Sequence, residues 1–290
     1  MAVYERSYKR YEGALTPQWS RFLVLPRYAY EEVVRSKLFI IFFILCLIHP
    51  AIQAIRIYLY HRGSKIFEAL PGSAEFFRQF LSVDAEFFGL VMAFQSTFAF
   101  FMALFIGPGL VSKDLANNGL PLYLSRPISR AEYVLGKFSV LGILLSLITW
   151  VPGLLLYGLQ SLYAGWGWAF SNLRFAASIL VGSAVWIGTI SLLALAVSAW
   201  VKWRPIAGFM MFMIFLGGSF VGLVVNALFR TDWGHMANLG VVIARIWESL
   251  LGLPASDDLP AWAAWVSISI FCLLCIQLLN KKIRSYEVVS

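Results

Sequence analysis

The sequence predicts an all-α integral membrane protein with six transmembrane helices. Of its 290 residues, 60% are hydrophobic and only 13% are charged, whereas a soluble domain is about 45–50% apolar and about 25% charged. The chain also contains apolar runs of about 20 residues, each long enough to cross a hydrocarbon core of about 30 Å. This composition excludes a soluble globular domain, a disordered chain and a nucleic-acid-binding protein.

Six candidate spans follow one another along the chain. Each is apolar around its whole circumference, as a lipid-embedded helix is. The first and last are near the lower length limit, and the first is interrupted by His49, Pro50 and Gln53. The predicted spans are 38–55, 87–111, 138–157, 175–201, 205–229 and 261–279.

The distribution of Lys and Arg predicts the orientation. If the N-terminus is cytoplasmic, the inner segments hold 16 of the 23 Lys and Arg residues and the outer segments hold 7. Positive residues accumulate on the cytoplasmic side, so both termini are predicted to be cytoplasmic. No removable signal peptide is expected, because the first 37 residues contain neither an apolar core nor a small-residue cleavage site.

The cytoplasmic arm, residues 1–37, is predicted to carry an interfacial helix over 26–37. Pro26 suits the first helical position, and Glu31 with Arg35 forms a favourable i,i+4 pair. Four apolar side chains share one face that would lie along the inner leaflet: Tyr30, Val33, Val34 and Leu38. An irregular charged leader is the alternative.

The outer segment 230–260 contains an amphipathic stretch, 239–253, that is too short and too charged to span. We predict a helix that rests on the outer surface or re-enters it. In the fifth span, Gly218 and Gly222 form a G-x-x-x-G pattern, which marks a close helix contact. The pattern leaves open whether this contact lies within the subunit or across a dimer.

The segment 112–137, between the second and third spans, carries the most specific signals. Ser112 is predicted to cap a short helix that Gly119 ends, with Asp114 in the first turn. An apolar patch, 120–124, follows in the cytoplasm. Ser129-Arg130-Ala131-Glu132 is a capping box, so the third helix is expected to begin in the cytoplasm. Such a segment would transmit force from a soluble partner to the spans.

This segment resembles the signature of type-2 ABC transporter permeases. The matching strings are Val111-Ser112-Lys113-Asp114, then Leu122-Tyr123-Leu124-Ser125-Arg126-Pro127-Ile128-Ser129-Arg130, then Tyr133-Val134-Leu135-Gly136-Lys137. Asp114 stands where that family most often has glutamate. More loosely, the chain resembles permeases associated with multicopper-enzyme maturation.

The resemblance implies a six-span permease domain, 38–290, whose cytoplasmic loop includes a coupling helix that docks on a separate ABC ATPase. The docking residues that it implies are Asp114, Leu120, Leu122, Leu124, Arg126, Pro127 and Arg130. Arg126-Pro127 and Arg130 have a simpler alternative interpretation, in which the arginines are only positive-inside charges beside a helix start.

The chain itself is predicted not to be an enzyme. Residues 107–113 are the nearest approach to a phosphate-binding loop, but Ser112 replaces the last glycine of that motif. ATP and Mg²⁺ are therefore expected to bind to the partner, and no cofactor or metal to this chain. Cys272 and Cys275 have a metal-like spacing, but their uniformly apolar helix favours packing.

The leading hypothesis is the membrane subunit of an ABC transporter in the inner membrane of a bacterium. We expect it to form a homodimer, or to pair with a similar permease, and not to bind nucleic acid. One alternative is a stand-alone carrier or channel, but only His49 could supply an ionisable group near the midplane. We interpret His49 as bonding a carbonyl freed at Pro50. The other alternative, a non-transporting assembly scaffold, would be favoured only by 230–260.

Overall fold

The computed structural model describes residues 24–63, 79–117, 129–256 and 258–283. Within these ranges all regular structure is helical, which confirms the all-α class. The helices are α1 (Val24–Val34), α2 (Lys37–Arg62), α3 (Ala85–Ile106), α4 (Pro108–Ala116), α5 (Arg130–Ile148), α6 (Trp150–Ala164), α7 (Trp166–Ser171), α8 (Leu173–Trp200), α9 (Arg204–Phe229), α10 (Leu239–Leu251) and α11 (Ala261–Lys282), with a 3₁₀ helix at Trp233–Ala237 before α10.

Six stretches of the described chain are long and apolar enough to cross a membrane. Each overlaps one of the six predicted spans, so their number and order are confirmed, although the first and third are longer than predicted. The second span joins α3 to the start of α4, and the third joins α5 to α6. The spans are Lys37–Arg62, Ala85–Ser112, Arg130–Ala164, Leu173–Trp200, Arg204–Phe229 and Ala261–Lys282.

The predicted N-terminal helix is present as α1, which begins two residues before Pro26. Glu31 pairs with Arg35 at 3.9 Å, as predicted, and also with Arg27 at 3.6 Å. The apolar face of α1 packs against the core, mainly against α5. Leu38 does not share that face, because it already belongs to α2, where it is 80% exposed.

The second span is broken at Gly107, and α4 starts afresh at Pro108. Proline favours the first helical position because it has no N–H to leave unpaired. Ser112 therefore lies inside α4, where its hydroxyl donates to the carbonyl of Pro108. The prediction that Ser112 caps this helix is wrong, because the helix begins four residues earlier. Gly119 lies outside the described residues.

The capping box at the start of the third span is confirmed. The hydroxyl of Ser129 accepts from the backbone N–H of Glu132 at 3.2 Å, and the Glu132 carboxylate accepts from the Ser129 N–H at 2.6 Å. The helix thus starts eight residues before Phe138, where the predicted span begins. It is interrupted at Thr149, because Pro152 cannot donate a backbone hydrogen bond.

The outer segment folds back alongside α9. Arg230 turns the chain with a left-handed φ of 50°, and the 3₁₀ helix then packs on α9. A Cβ on Gly222 would lie 2.6 Å from the Gly234 carbonyl oxygen, and the Ala237 carbonyl approaches Gly218 in the same way. The G-x-x-x-G contact is therefore within the subunit. Gly218 lies about 16 Å along α9 from Phe229. The segment therefore returns to this depth alongside the fifth span, which is the re-entrant form of the prediction.

From that depth, α10 runs back toward the start of α8. Asn238 caps its first turn, accepting from the N–H groups of Gly240 and Val241 at 3.1 and 3.4 Å. At the other end, Arg174 donates to the carbonyls of Ser249 and Leu250. The apolar face of α10 is buried against the chain's own spans, with Leu239, Val242, Ile243, Ile246, Trp247 and Leu251 in the core.

Candidate functional site

The predicted docking segment lies partly outside the described residues. Five of its proposed docking residues, Leu120, Leu122, Leu124, Arg126 and Pro127, fall in the range 118–128, which the structure does not describe. Asp114, near the end of α4, and Arg130, the first residue of α5, are described. The structure therefore defines the two ends of the segment, and these ends are where its geometry is informative.

Asp114 bridges the two ends of the segment. Its Oδ2 atom lies 2.9 Å from Nζ of Lys137 and accepts a hydrogen bond of 2.7 Å from the Tyr133 hydroxyl. Lys137 is only 7% exposed and Tyr133 is fully buried. Because both partners are on α5, this one carboxylate fastens the end of the second span to the start of the third.

The pair has a further contact besides the hydrogen bond from Tyr133. Nζ of Lys137 also lies 5.7 Å from the centroid of the Tyr133 ring, within cation–π range. A buried ion pair needs such additional partners, because desolvation opposes it. Tyr133 and Lys137 belong to the family signature, yet no role for either follows from the sequence alone. A Lys at the start of an apolar helix, 23 residues after an acid, was the available signal.

Arg130 occupies a different environment. It is exposed at the first position of α5, directly after the capping residue Ser129. Arg130 is therefore at the water-exposed end of the segment, and Asp114 is at its buried base.

A buried hydroxyl on α8 holds α4 from the other side. Oγ of Ser198 accepts from the backbone N–H groups of Val111 and Ser112, at 3.1 and 2.9 Å, and donates to the Pro108 carbonyl at 2.8 Å. Ser198 is completely buried. Where α3 ends, Gly107 packs directly on the side chain of Ala194, also on α8. The break in the second span is thus fixed to the fourth span.

The start of the fifth span also contacts this break. Arg204 donates from Nη2 to the Phe105 carbonyl at 2.6 Å, and its side chain packs over Gly109. Because Pro108 and the turn at Gly107 interrupt the helical ladder, carbonyls in this turn need other partners. Spans two to five therefore meet around α4, at the end that the charge distribution predicts to be cytoplasmic.

The comparison with known families identifies the chain. The family model of the ABC-2 family transporter proteins matches residues 30–278. The chain belongs to this family. It is a type-2 ABC transporter permease, a multi-pass membrane component, and the family implies pairing with an ABC ATPase subunit. No curated protein matches the chain.

In this ABC-2 family member, the polar residues of the first span contact their neighbours in the chain. Nε2 of His49 lies 3.1 Å from Nε2 of Gln53, and the His49 ring stacks on Phe94 at 4.7 Å between centroids. Nε2 faces Gln53, one turn away, and Nδ1 has no hydrogen-bond partner among the described residues, so the ring does not bond a freed carbonyl. Gln95 does join two helices, donating to the Cys46 carbonyl at 3.4 Å.

The described part of this permease contains no group of three or more His, Cys, Asp or Glu that could hold a metal ion. Cys275 is buried, and Cys272 lies 3.7 Å from the Thr189 hydroxyl on α8, at the α8–α11 contact. Both thiols are thus placed in helix packing. The arrangement around α4 is mechanical instead: it connects four spans to one segment on the predicted cytoplasmic side.

Proposed function

We propose that this chain is the membrane subunit of an ABC transporter that moves a substrate across the inner membrane of a bacterium. ATP would be hydrolysed by a separate ATPase subunit, which docks on segment 112–137. Closure of that ATPase around ATP would displace the segment and, with it, the attached spans. ATP and Mg²⁺ belong to the partner in this proposal, and the permease supplies the pathway and the lever.

The observation that carries the proposal is the fastening of α4. Asp114 ties it to the third span, Ser198 ties it to the fourth, and Arg204 of the fifth packs over Gly109. A loop whose ends are fixed to several spans is suited to transmit movement, because displacing it displaces those spans as well. An ordinary surface loop would need no such buried polar contacts.

We further propose that the permease acts as a dimer, with the pathway between two copies or between this chain and a similar permease. In two spans, α2 and α9, only 11% of the apolar 18-residue stretch is buried within the chain, against 67% in α8. Lipid covers such surfaces equally well, so their exposure permits a dimer without requiring one. Interfaces in closed dimers are formed by the same patch on both subunits.

The outer segment does not favour the scaffold alternative. A scaffold would present an apolar face to an enzyme outside the membrane, but α10 buries its apolar face against spans of this chain. The carrier alternative likewise gains no support from the first span, because His49 contacts Gln53 and Phe94, neither of which is ionisable.

The docking proposal is tested by replacing Leu122 and Leu124 with Asp. Each leucine exposed to water forgoes about 1.5–3 kcal/mol of burial, which a cleft on the partner would partly recover. We expect the double variant to lose a co-expressed ABC ATPase in a detergent pull-down while it inserts normally. Replacement of the same leucines by Met keeps the apolar volume and should retain the ATPase.

If the double Asp variant retains its ATPase at the wild-type level, segment 112–137 is not the docking element.

The orientation is tested separately by labelling introduced cysteines from outside the cell. Cysteines at Ser171 and Ser256 should react, and cysteines at Asn118 and Ser285 should not. Labelling at Asn118 would contradict a cytoplasmic docking segment.

A further inference from the structure

Side-chain contacts hold the two ends of the docking segment, 112–117 and 129–137, together. Asp114 reaches from α4 to Lys137 at 2.9 Å and to the Tyr133 hydroxyl at 2.7 Å. Asp114 and Tyr133, which are 19 residues apart, are therefore joined directly by their side chains. We call Asp114, Tyr133 and Lys137 the latch.

The latch is not an ordinary surface ion pair. The side chains of Lys137 and Asp114 are 9% and 15% exposed, and Tyr133 is completely buried. Surface pairs are loosened by water and salt, whereas a nearly dry pair with an additional hydrogen bond keeps its geometry. In contrast, the pairs that Glu31 makes on α1 involve arginines that are 79% and 83% exposed.

The latch also acts on an element that is fixed elsewhere. Ser198 bonds the first turn of α4 to α8, and Asp114 lies one further turn along α4. Movement of the docking segment is thereby directed into α4 and α5 together. Without the latch, α5 could pivot about its own cytoplasmic end while α4 stayed against α8.

We propose that the latch is the positioning device that makes the second and third spans respond to the ATPase as one unit. This proposal rests on the proposed function, because it assumes that the ATPase docks on the loop. It assigns to Asp114 a role within the chain, in place of the partner contact that the family resemblance implies. The latch residues position the docking surface and spans, and they need not touch the ATPase.

The test uses the full-length permease with a co-expressed ABC ATPase in lipid nanodiscs. The reporter is a cysteine introduced at Ser256, whose rate of labelling by a maleimide is measured with and without ATP plus vanadate. The decisive variant replaces Asp114 by Asn and Lys137 by Met together. The double change removes the ion pair and leaves no unpaired buried charge, so the fold is retained. The new amide oxygen can still accept from the Tyr133 hydroxyl, so the variant tests the Asp114–Lys137 pair itself.

We expect the wild type to change its labelling rate when nucleotide is trapped. The double variant should retain the ATPase within about twofold, yet its nucleotide-dependent change should fall by about fivefold or more. Asp114→Glu keeps the carboxylate and should restore most of the change. Glu31→Gln removes a carboxylate from an exposed pair on α1 and serves as the matched control, with wild-type behaviour expected.

Three results would overturn the proposal in distinguishable ways. If the double variant keeps the full nucleotide-dependent change, the latch does not couple the two spans. If the double variant releases the ATPase although it is inserted and folded, Asp114 belongs to the docking surface instead. If the wild type itself retains no ATPase or shows no nucleotide-dependent change, the proposed function fails and the latch proposal fails with it.

Discussion

Spans α8 and α9 are adjacent in sequence and similar in length and apolarity, with 28 and 26 residues. Yet 67% of the apolar 18-residue stretch is buried in α8, and only 11% in α9. In water, an apolar face would be driven into the core. In lipid, the solvent is as apolar as the side chains, so close packing and internal hydrogen bonds decide which helix becomes central. The difference shows that apolarity alone does not predict position in a bundle.

What distinguishes α8 is a series of small and polar residues. Gly182 packs against the Trp247 ring of α10, and Ala194 packs against Gly107. Ser198 accepts a hydrogen bond from the backbone of α4. Trp186 adds a hydrogen bond to the Ser96 carbonyl on α3 at 3.0 Å. Each contact fixes a different neighbour, so α8 is surrounded, whereas α9 is held mainly by the re-entrant segment.

The largest effect on the free energy of unfolding is expected for Trp186→Ala. Trp186 is 4% exposed, stacks edge-to-face with Trp247 and bonds Ser96. Its loss should cost about 3–5 kcal/mol, measured as a lower unfolding midpoint in detergent. Trp203, at the start of α9, is 71% exposed, and Trp203→Ala should leave the midpoint nearly unchanged. Equal losses would mean that α8 is not the better-packed span.

A smaller loss is expected for Ser198→Ala. Without the hydroxyl, the buried N–H groups of Val111 and Ser112 lose their partner, at a cost of about 2 kcal/mol. Ser219, on α9, donates to the Phe215 carbonyl of its own helix. Ser219→Ala should therefore have little effect. Amide hydrogen exchange at Val111 and Ser112 should accelerate only in the α8 variant.

A third substitution pair distinguishes two faces of α9. Gly222→Ala would place a methyl group 2.6 Å from the Gly234 carbonyl oxygen, whereas a methyl group at Gly217 would meet none of the described residues within 4 Å. We expect Gly222→Ala to destabilise the chain by about 1 kcal/mol. Gly217→Ala should be neutral or slightly stabilising, because alanine favours helices. Thermal unfolding of both variants would reveal whether the re-entrant segment is held as tightly as the contacts indicate.

The smallest effect on the stability of the single chain is expected for Phe220→Ala on the exposed face of α9. Phe220 is 69% exposed, so the change should remain within about 0.5 kcal/mol. If a second copy covers this face, the same change should lower the dimer fraction in native mass spectrometry. Phe170→Ala, at a residue 68% exposed on α7, is the control. A large stability loss for Phe220→Ala would contradict the exposure of α9.

Signals confined to a short stretch of chain predicted the structure well. The capping box at Ser129 and Glu132 was recognisable because both partners are three residues apart, and the pairing of Glu31 with Arg35 is one helical turn. The start of α4 was misplaced because Ser112 has the chemistry of a cap, while Pro108 four residues earlier had already begun the helix. Two local signals for a helix start, Pro108 and Ser112, were present, and the break at Gly107 places the start at Pro108.

The candidate site was predictable only in outline. The family signature located segment 112–137 and named Asp114, but the partners of Asp114 lie 19 and 23 residues away on another helix. Ser198, which is 86 residues from Ser112, carried no signal at all. Serine is common in apolar helices, and nothing in its sequence neighbourhood indicates which backbone it will meet.

The sequence by itself determined that the chain is a six-span helical membrane protein, because the hydrocarbon core imposes a length and an apolarity that each span must satisfy alone. It also determined the family, through a motif contained in one loop. Only the tertiary structure decided that α8 is central, that Gly218 and Gly222 receive the chain's own re-entrant segment, and that Asp114 binds Lys137. Those outcomes depend on shape and on partners far apart in sequence, which the bilayer as a solvent does not dictate.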